Sequence, residues 1–239
     1  MVGAKRMQNI PTSSSEKIGA IRQVNYFLSL SDQALCSLVP GISLHRYERG
    51  EIIFWEGEQC TGLHIIERGS VKLFKLSPHG RELIINTSEE GSTFNEVPVF
   101  DNGRNPVNAA ALESCDIWII DAGVIRSAME QHPEMCRAVI LSLSTNLRML
   151  VTKVEELSFY QVTNRLARLI SQLSEEQLSG QASNRLTQDQ MAARLGTVRE
   201  VVARSLQQLQ RSGAIRVDRR QIEILNEDVL KDWAQSPSE

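Results

Sequence analysis

Apolar and polar positions change rhythm along the chain. Between residues 42 and 121, short apolar runs stop at turn-forming residues: Ile52-Ile53-Phe54 before Gly57, Leu63-His64-Ile65-Ile66 before Gly69, Val71-Lys72-Leu73-Phe74 before Pro78-His79-Gly80, and Leu83-Ile84-Ile85 before Gly91. Asn108 to Leu112 and Ile117 to Ile120 continue the series after Gly103. Short strands with glycine-marked turns predict an antiparallel barrel or roll, and the density of glycines excludes a pair of packed helices. Upstream, residues 16–39 read as short helices, one of them opened by Ser31-Asp32. Residues 1–15 are polar and read as a disordered tail.

Downstream the period becomes helical, over residues 124–177. Pro133 suits the first turn of a long helix, because its missing N–H would be unpaired there anyway. Within that helix Ile140, Leu143, Leu147, Leu150, Val154 and Leu157 are spaced 3, 4, 3, 4, 3. Such a ladder could lie on the chain's own barrel, but the strict alternation favours a seam between two copies. A second helix is expected at about 162–177, with Leu166, Leu169, Ile170 and Leu173 on one face, and the polar run 178–185 reads as a linker.

The most informative stretch runs from Leu186 to Leu225. Thr187 is a good N-cap for a helix Gln188–Leu195; Gly196 permits a sharp turn; Arg199 to Arg211 forms a second helix with Val202, Leu206 and Leu209 inward. Gly213 ends it, and Ile215-Arg216-Val217 and Ile222-Glu223-Ile224 flank Asp218-Arg219-Arg220 as a hairpin with a basic tip. This is the pattern of a winged helix-turn-helix, whose chemistry is DNA binding. Arg199 and Glu200 stand on the first turn of the second helix, and Arg204 is four residues beyond Glu200, on the same face. Arginine can bridge guanine O6 and N7, and glutamate can accept from cytosine N4. The plainer reading makes Glu200 and Arg204 a surface ion pair. Thr187, Gln188, Thr197, Arg219 and Arg220 complete the DNA-binding set, with Thr187 and the two wing arginines reaching phosphates.

Composition sharpens this picture. The 239 residues exceed the usual size of one domain, and two are expected. A net charge of −3 hides an asymmetry: residues 185–222 hold eight arginines, no lysine and three acids. Arginine without lysine suits planar, bidentate recognition. No apolar stretch is long enough to span a bilayer, and the first residues lack the apolar core of a signal peptide, so a cytoplasmic location is expected. Cys36, Cys60, Cys115 and Cys136 are too scattered for a compact metal site and read as reduced, mostly buried side chains. No HExxH, GxSxG, phosphate-binding loop or paired catalytic carboxylate occurs, so no catalytic residue is assigned and an enzyme is not expected. A nucleotide-sensing regulatory subunit is the remaining competitor, and it leaves the wing and the arginines unexplained.

With these parts in order, the chain resembles the cyclic-AMP receptor protein/fumarate-nitrate regulator (CRP/FNR) superfamily of bacterial transcription factors. The resemblance covers about residues 20–230. It is carried by Arg49-Gly50-Glu51, Glu56-Gly57-Glu58, Arg68-Gly69-Ser70-Val71-Lys72, the run FYQVTNRLA from Phe159 to Ala167, and the run LGTVREVVAR from Leu195 to Arg204. It implies an α+β fold: an N-terminal antiparallel β-roll of the cyclic-nucleotide-binding kind, a long dimerisation helix and a C-terminal winged helix-turn-helix. The expected organisation is a tail at 1–15, a sensor roll at 16–132, a helix and hinge at 133–160 and a DNA-binding domain at 161–239. It further implies a homodimer on an inverted repeat of double-stranded DNA, contact with RNA polymerase, and base reading by Arg199, Glu200 and Arg204. Arg199 looks like the reader of a guanine-containing, TGTGA-like half-site.

The sensor segment departs from the family pattern. Cyclic-nucleotide members carry an Arg-Ser pair that grips the cyclic phosphate; here Pro106 and Val107 occupy those positions, although Glu96 remains. The effector pocket is assigned to Phe94, Asn95, Glu96, Arg104, Val107, Leu150 and Val151, with Arg104 a possible substitute phosphate ligand and Leu150 and Val151 replacing the polar pair that meets the purine. Cyclic AMP is therefore not the expected effector. An FNR-type iron–sulfur cluster is not expected either, since residues 1–35 hold no cysteine. Haem stays open, although none of His45, His64, His79 and His132 is placed at the pocket by sequence. An unknown small molecule, or a degenerate pocket with constitutive DNA binding, completes the alternatives.

Overall fold

The computed structural model describes residues 8–173, 186–218 and 221–235. They form two compact units, one of 8–75 with 85–145 and one of 76–84 with the described residues from 146 onward.

The first unit is built on β-strands, with Leu76 of β5 and Glu82 to Ile84 of β6 falling in the second. In chain order they are β1 (Gln8–Ile10), β2 (Ile42–Tyr47), β3 (Ile52–Phe54), β4 (Gly62–Arg68), β5 (Ser70–Leu76), β6 (Glu82–Glu89), β7 (Thr93–Phe94), β8 (Asn108–Ala111) and β9 (Cys115–Asp121). One sheet has the order β1-β2-β9-β4-β7, and a second has the order β3-β8-β5-β6. The side chains between them (Tyr47, Ile53, Phe54, Ile66, Val71, Phe94, Ala109, Ile117) form one core. The other face of the larger sheet is covered by α1 (Ser14–Arg22), α2 (Asp32–Leu38), α4 (Ala122–Gln131) and the start of α5 (Pro133–Phe159), through Ile21, Leu35, Leu38, Ile125 and Met135 against Leu44, Leu63, Ile65, Trp118 and Ile120. A central strand covered on both faces has no polar face to show. That is why β4 and β9 read as continuous apolar runs rather than alternating ones.

Two polar features fix the register of this sheet. Arg46 on β2 holds Asp116 on β9 with Nε and Nη2 at 2.7 and 2.8 Å, and Arg68 on β4 reaches the same carboxylate at 3.2 Å. Gly62 lets β4 approach β9, because a Cβ there would lie 2.1 Å from the Ile120 carbonyl oxygen.

The disordered tail expected over 1–15 is corrected from Gln8 onward. Gln8, Asn9 and Ile10 pair with Arg46, His45 and Leu44, and Ser13 and Glu16 close a capping box at the head of α1. Order here comes from backbone pairing at a sheet edge, which a polar composition does not reveal.

The second unit holds the C-terminal part of α5, then α6 (Val162–Ser171), α7 (Gln188–Leu195), α8 (Arg199–Arg211), the hairpin β10 (Ile215–Asp218) with β11 (Gln221–Ile224), and α9 (Glu227–Gln235). The helix expected at about 162–177 ends at Ser171, and the expected linker 178–185 lies outside the described residues. Leu166, Ile170, Met191, Leu195, Val202, Leu206, Leu209, Ile215 and Leu230 make a core of its own. The fold is α+β.

Candidate functional site

The helix-turn-helix is assembled by local rules. Thr187 Oγ1 accepts from the Gln190 backbone N–H at 3.2 Å, and the Gln190 side chain accepts from the Thr187 N–H at 2.8 Å. This capping box spends a lone pair of Thr187 and leaves its hydroxyl hydrogen to donate. Gly196 ends α7 in the left-handed region at φ 65°, the turn that carries the chain into α8. Val202, Leu206 and Leu209 bury one side of α8, so Arg199, Glu200 and Arg204 are exposed on the other. Among the described residues no ion pair joins Glu200 to Arg204; Arg199 Nη1 instead lies 4.0 Å from Asp189 Oδ2 on α7. Gln188, at the head of α7, and Thr197, in the turn, are half-buried. On the wing, Arg216 is paired across the hairpin with Glu223 at 3.1 Å, and the tip residues Arg219 and Arg220 lie outside the described residues.

The seat of α8 was not visible in the sequence. Thr163 on α6 donates to Gln208 Oε1 at 2.6 Å and lies 3.0 Å from Ser205 Oγ. Arg165 donates to the Leu195 carbonyl at 2.8 Å, and Asn164 to the Trp233 carbonyl at 2.9 Å. Thr163, Asn164 and Arg165 stand in the run FYQVTNRLA, which says nothing of partners 30 or more residues away.

In the first unit, α3 (Glu96–Asp101) opens at Asn95, which sits in the left-handed region at φ 70°. Asparagine tolerates that conformation better than most residues. Its Nδ2 donates to Gly62 O and Asn105 Oδ1, while its Oδ1 is buried without a partner. Glu96 Oε1 accepts from Thr93 Oγ1 at 2.6 Å and from the Tyr26 hydroxyl at 3.4 Å. Arg104 is exposed and donates to the Gly57 carbonyl at 2.9 Å. Pro106 is exposed and Val107 half-buried. Phe94 is buried and stacks on the His64 ring, with centroids 4.8 Å apart. Thus Phe94, Asn95 and Glu96 are contiguous at the head of α3, and Arg104 makes one bond to a loop carbonyl. Leu150 and Val151 belong to the second unit, where both are exposed on α5.

The ladder on α5 is also described. Leu143 packs partly against the first unit's core, while Ile140, Leu147, Leu150, Val154 and Leu157 are exposed, at 43–63%. Leu141 and Val151 widen the bare apolar surface.

His64 is wholly buried between Phe54 and Phe94, and burial pushes its pKa down to about 3. His45 is depressed by the same cause, His79 is exposed, and His132 caps α4 beside Glu134. The four cysteines are free, and burial pushes the Cys60 and Cys115 thiols up. Among the described residues no cluster of metal-ligating side chains forms, and no helix is long and apolar enough to cross a membrane.

Comparison with known proteins bears on both units. Residues 44–132 match the cyclic nucleotide-binding domain family, and residues 164–233 match the Crp-like helix-turn-helix domain family. A CRP-like cAMP-activated global transcriptional regulator of Mycobacterium tuberculosis is 26% identical over 215 residues, covering 88% of this chain and 96% of the relative. The cyclic AMP receptor protein of Thermus thermophilus is 26% identical over 188 residues, covering 79% and 86%. Among solved structures, a Eubacterium rectale chain of the crp/fnr family superposes with a TM-score of 0.78 at 20% identity, over 90% of this chain and all of that one.

Proposed function

We propose that the chain, which belongs to the CRP/FNR family of DNA-binding transcription regulators, acts as a homodimer on an inverted repeat with TGTGA-like half-sites. The observation that carries this reading is the bare face of α8. Arg199, Glu200 and Arg204 are exposed together, on a helix whose opposite side is buried and pinned to α6. Arg199 reads guanine, Glu200 the cytosine region of the opposite strand, and Arg204 a neighbouring base or phosphate. Thr187, Arg219 and Arg220 hold phosphates and set register without specifying sequence, and Gln188 and Thr197 complete the DNA-binding set. The exposed ladder from Ile140 to Leu157 supports pairing of two copies through α5. RNA polymerase is the protein partner that this class of regulator addresses.

The effector in this reading is a small molecule other than cyclic AMP. Pro106 and Val107 offer a cyclic phosphate no bidentate partner, and Arg104 is turned to Gly57. Leu150 and Val151 are assigned to the pocket from the family pattern alone. A second reading, constitutive DNA binding with a vestigial pocket, is favoured by one observation: Glu96 Oε1 already accepts bonds from Thr93 and Tyr26. Haem is not adopted, because His64, wholly buried in the roll, is core, stacked on Phe94 and tilted against Phe54.

Fluorescence anisotropy with an inverted-repeat duplex and a scrambled duplex, with and without cyclic AMP, tests this function. Preference for the repeat, unchanged by cyclic AMP, is expected. Equal binding to both duplexes contradicts the DNA-reading assignment, and clear tightening by micromolar cyclic AMP contradicts the effector assignment.

A further inference from the structure

Between α5 and α6 only Tyr160 and Gln161 are non-helical. Gln161 occupies the N-cap of α6 but makes no side-chain capping bond, and the backbone bonds at the link, Tyr160 N–H to Glu156 O at 3.2 Å and Arg165 N–H to Gln161 O at 3.1 Å, each stay on their own side of it. From α6 onward the unit is tied together, since Thr163 is bonded to α8 and Arg165 to the end of α7. Rotation about the link would therefore move the DNA-reading helices as one piece relative to the C-terminal part of α5.

One side chain spans the link. Arg168, two turns into α6, donates through Nη1 to Glu156 Oε1 on α5 at 3.0 Å. Its guanidinium lies 3.9 Å from the centroid of the Tyr160 ring, and its Nε donates to the Ala234 carbonyl on α9 at 2.5 Å. Carboxylate, aromatic face and carbonyl are engaged at once. A planar, five-donor guanidinium suits this, because its fork donates in two fixed directions while its flat face stacks on the ring; a compact ammonium has donors but no such plane. The Arg168 and Glu156 side chains are 26% and 34% exposed, so the pair is partly shielded from solvent.

We propose that Arg168 is a positioning residue that fixes the angle between α5 and the DNA-reading helices, and so sets the half-site spacing a dimer accepts. This rests on the dimeric DNA-binding reading above. If α5 forms the seam, the two recognition helices are held apart by a rigid path running through each link. One added base pair shifts a half-site by about 3.4 Å and rotates it by about 36° around the duplex, which a clamped link resists and a loose one follows.

The test is anisotropy with the full-length protein and Arg168→Ala, Arg168→Lys and Glu156→Gln. The duplexes carry inverted half-sites whose spacers differ by single base pairs, plus one duplex with a single half-site. Wild type should favour one spacer by about tenfold over its neighbours, as expected when one half-site's base contacts are lost. Arg168→Ala and Glu156→Gln should flatten that preference to within about threefold, with Arg168→Lys between, while single-half-site affinity stays unchanged. A general loss of stability would weaken every duplex alike and leave the spacer preference intact. Variants that keep the wild-type spacer profile overturn the proposal, and if Arg168→Ala does not fold, Glu156→Gln decides it. A wild type indifferent to spacing overturns the dimeric reading itself, a result distinguishable from retained preference in the variants.

Discussion

The Tyr26 hydroxyl lies 2.9 Å from Ser142 Oγ, joining the 3-10 turn after α1 to the long helix α5. The same hydroxyl reaches Glu96 at the head of α3. Tyr26 is almost wholly buried, and burial first, then the Glu96 charge, raises its pKa. Replacing it with phenylalanine removes both bonds and keeps the ring packed at right angles to Phe100. The Tyr26→Phe variant should lose about 0.5–1.5 kcal/mol of stability in urea titrations. Added to Ser142→Ala, it should cost less than the sum of the two single changes, because they share one bond. Strict additivity would show that the bond contributes nothing.

Acid should weaken the first unit in two windows. His64 is neutral in the fold down to about pH 3, whereas the unfolded chain takes up that proton near pH 6.5. The unfolded state then holds the extra proton, so stability falls with falling pH between those values, by up to about 1.4 kcal/mol per pH unit. His45 adds to the same trend. For Asp116 the hydrogen bonds from Arg46 hold the carboxyl below its ordinary value. Its contribution is full above the unfolded value of about 3.9 and is lost as pH falls further. His64→Phe should flatten the upper window and Asp116→Asn the lower one, as read by Tm against pH. An unchanged profile in either variant would contradict the burial or pairing assigned to that residue.

Leu147 is 63% exposed in the middle of the apolar ladder. Leu147→Glu would bury two charges at a seam between copies, at several kcal/mol unless they are neutralised. Light scattering should therefore report monomers, with DNA affinity falling in parallel. A variant that stays dimeric would move the seam elsewhere.

Much of this was legible in sequence because it is local. Strands between residues 42 and 121 announced themselves through apolar runs closed by glycines, and the helix-turn-helix through Thr187, Gly196 and the inward stripe of Val202, Leu206 and Leu209. What escaped depends on distant partners. Gln8 to Ile10 look like a polar tail until β2 pairs with them. Asn95 gave no sign of a left-handed backbone. Nothing in the sequence singled out Arg165 and Arg168, whose bonds go to the distant carbonyls of Leu195 and Ala234. In the sensor segment the sequence named Arg104 as a possible phosphate ligand but gave no sign of its bond to Gly57 O, 47 residues away.

Binding selection on randomised duplex DNA, with wild type and Arg199→Ala side by side, tests the central claim most directly. Wild type should enrich an inverted repeat with a fixed guanine in each half-site. Arg199→Ala should bind about 1–3 kcal/mol more weakly per half-site and lose preference at that one position, leaving the rest of the motif in place. An unchanged motif in the variant, or no enriched repeat with wild type, would contradict the assignment of α8 as the helix that reads DNA.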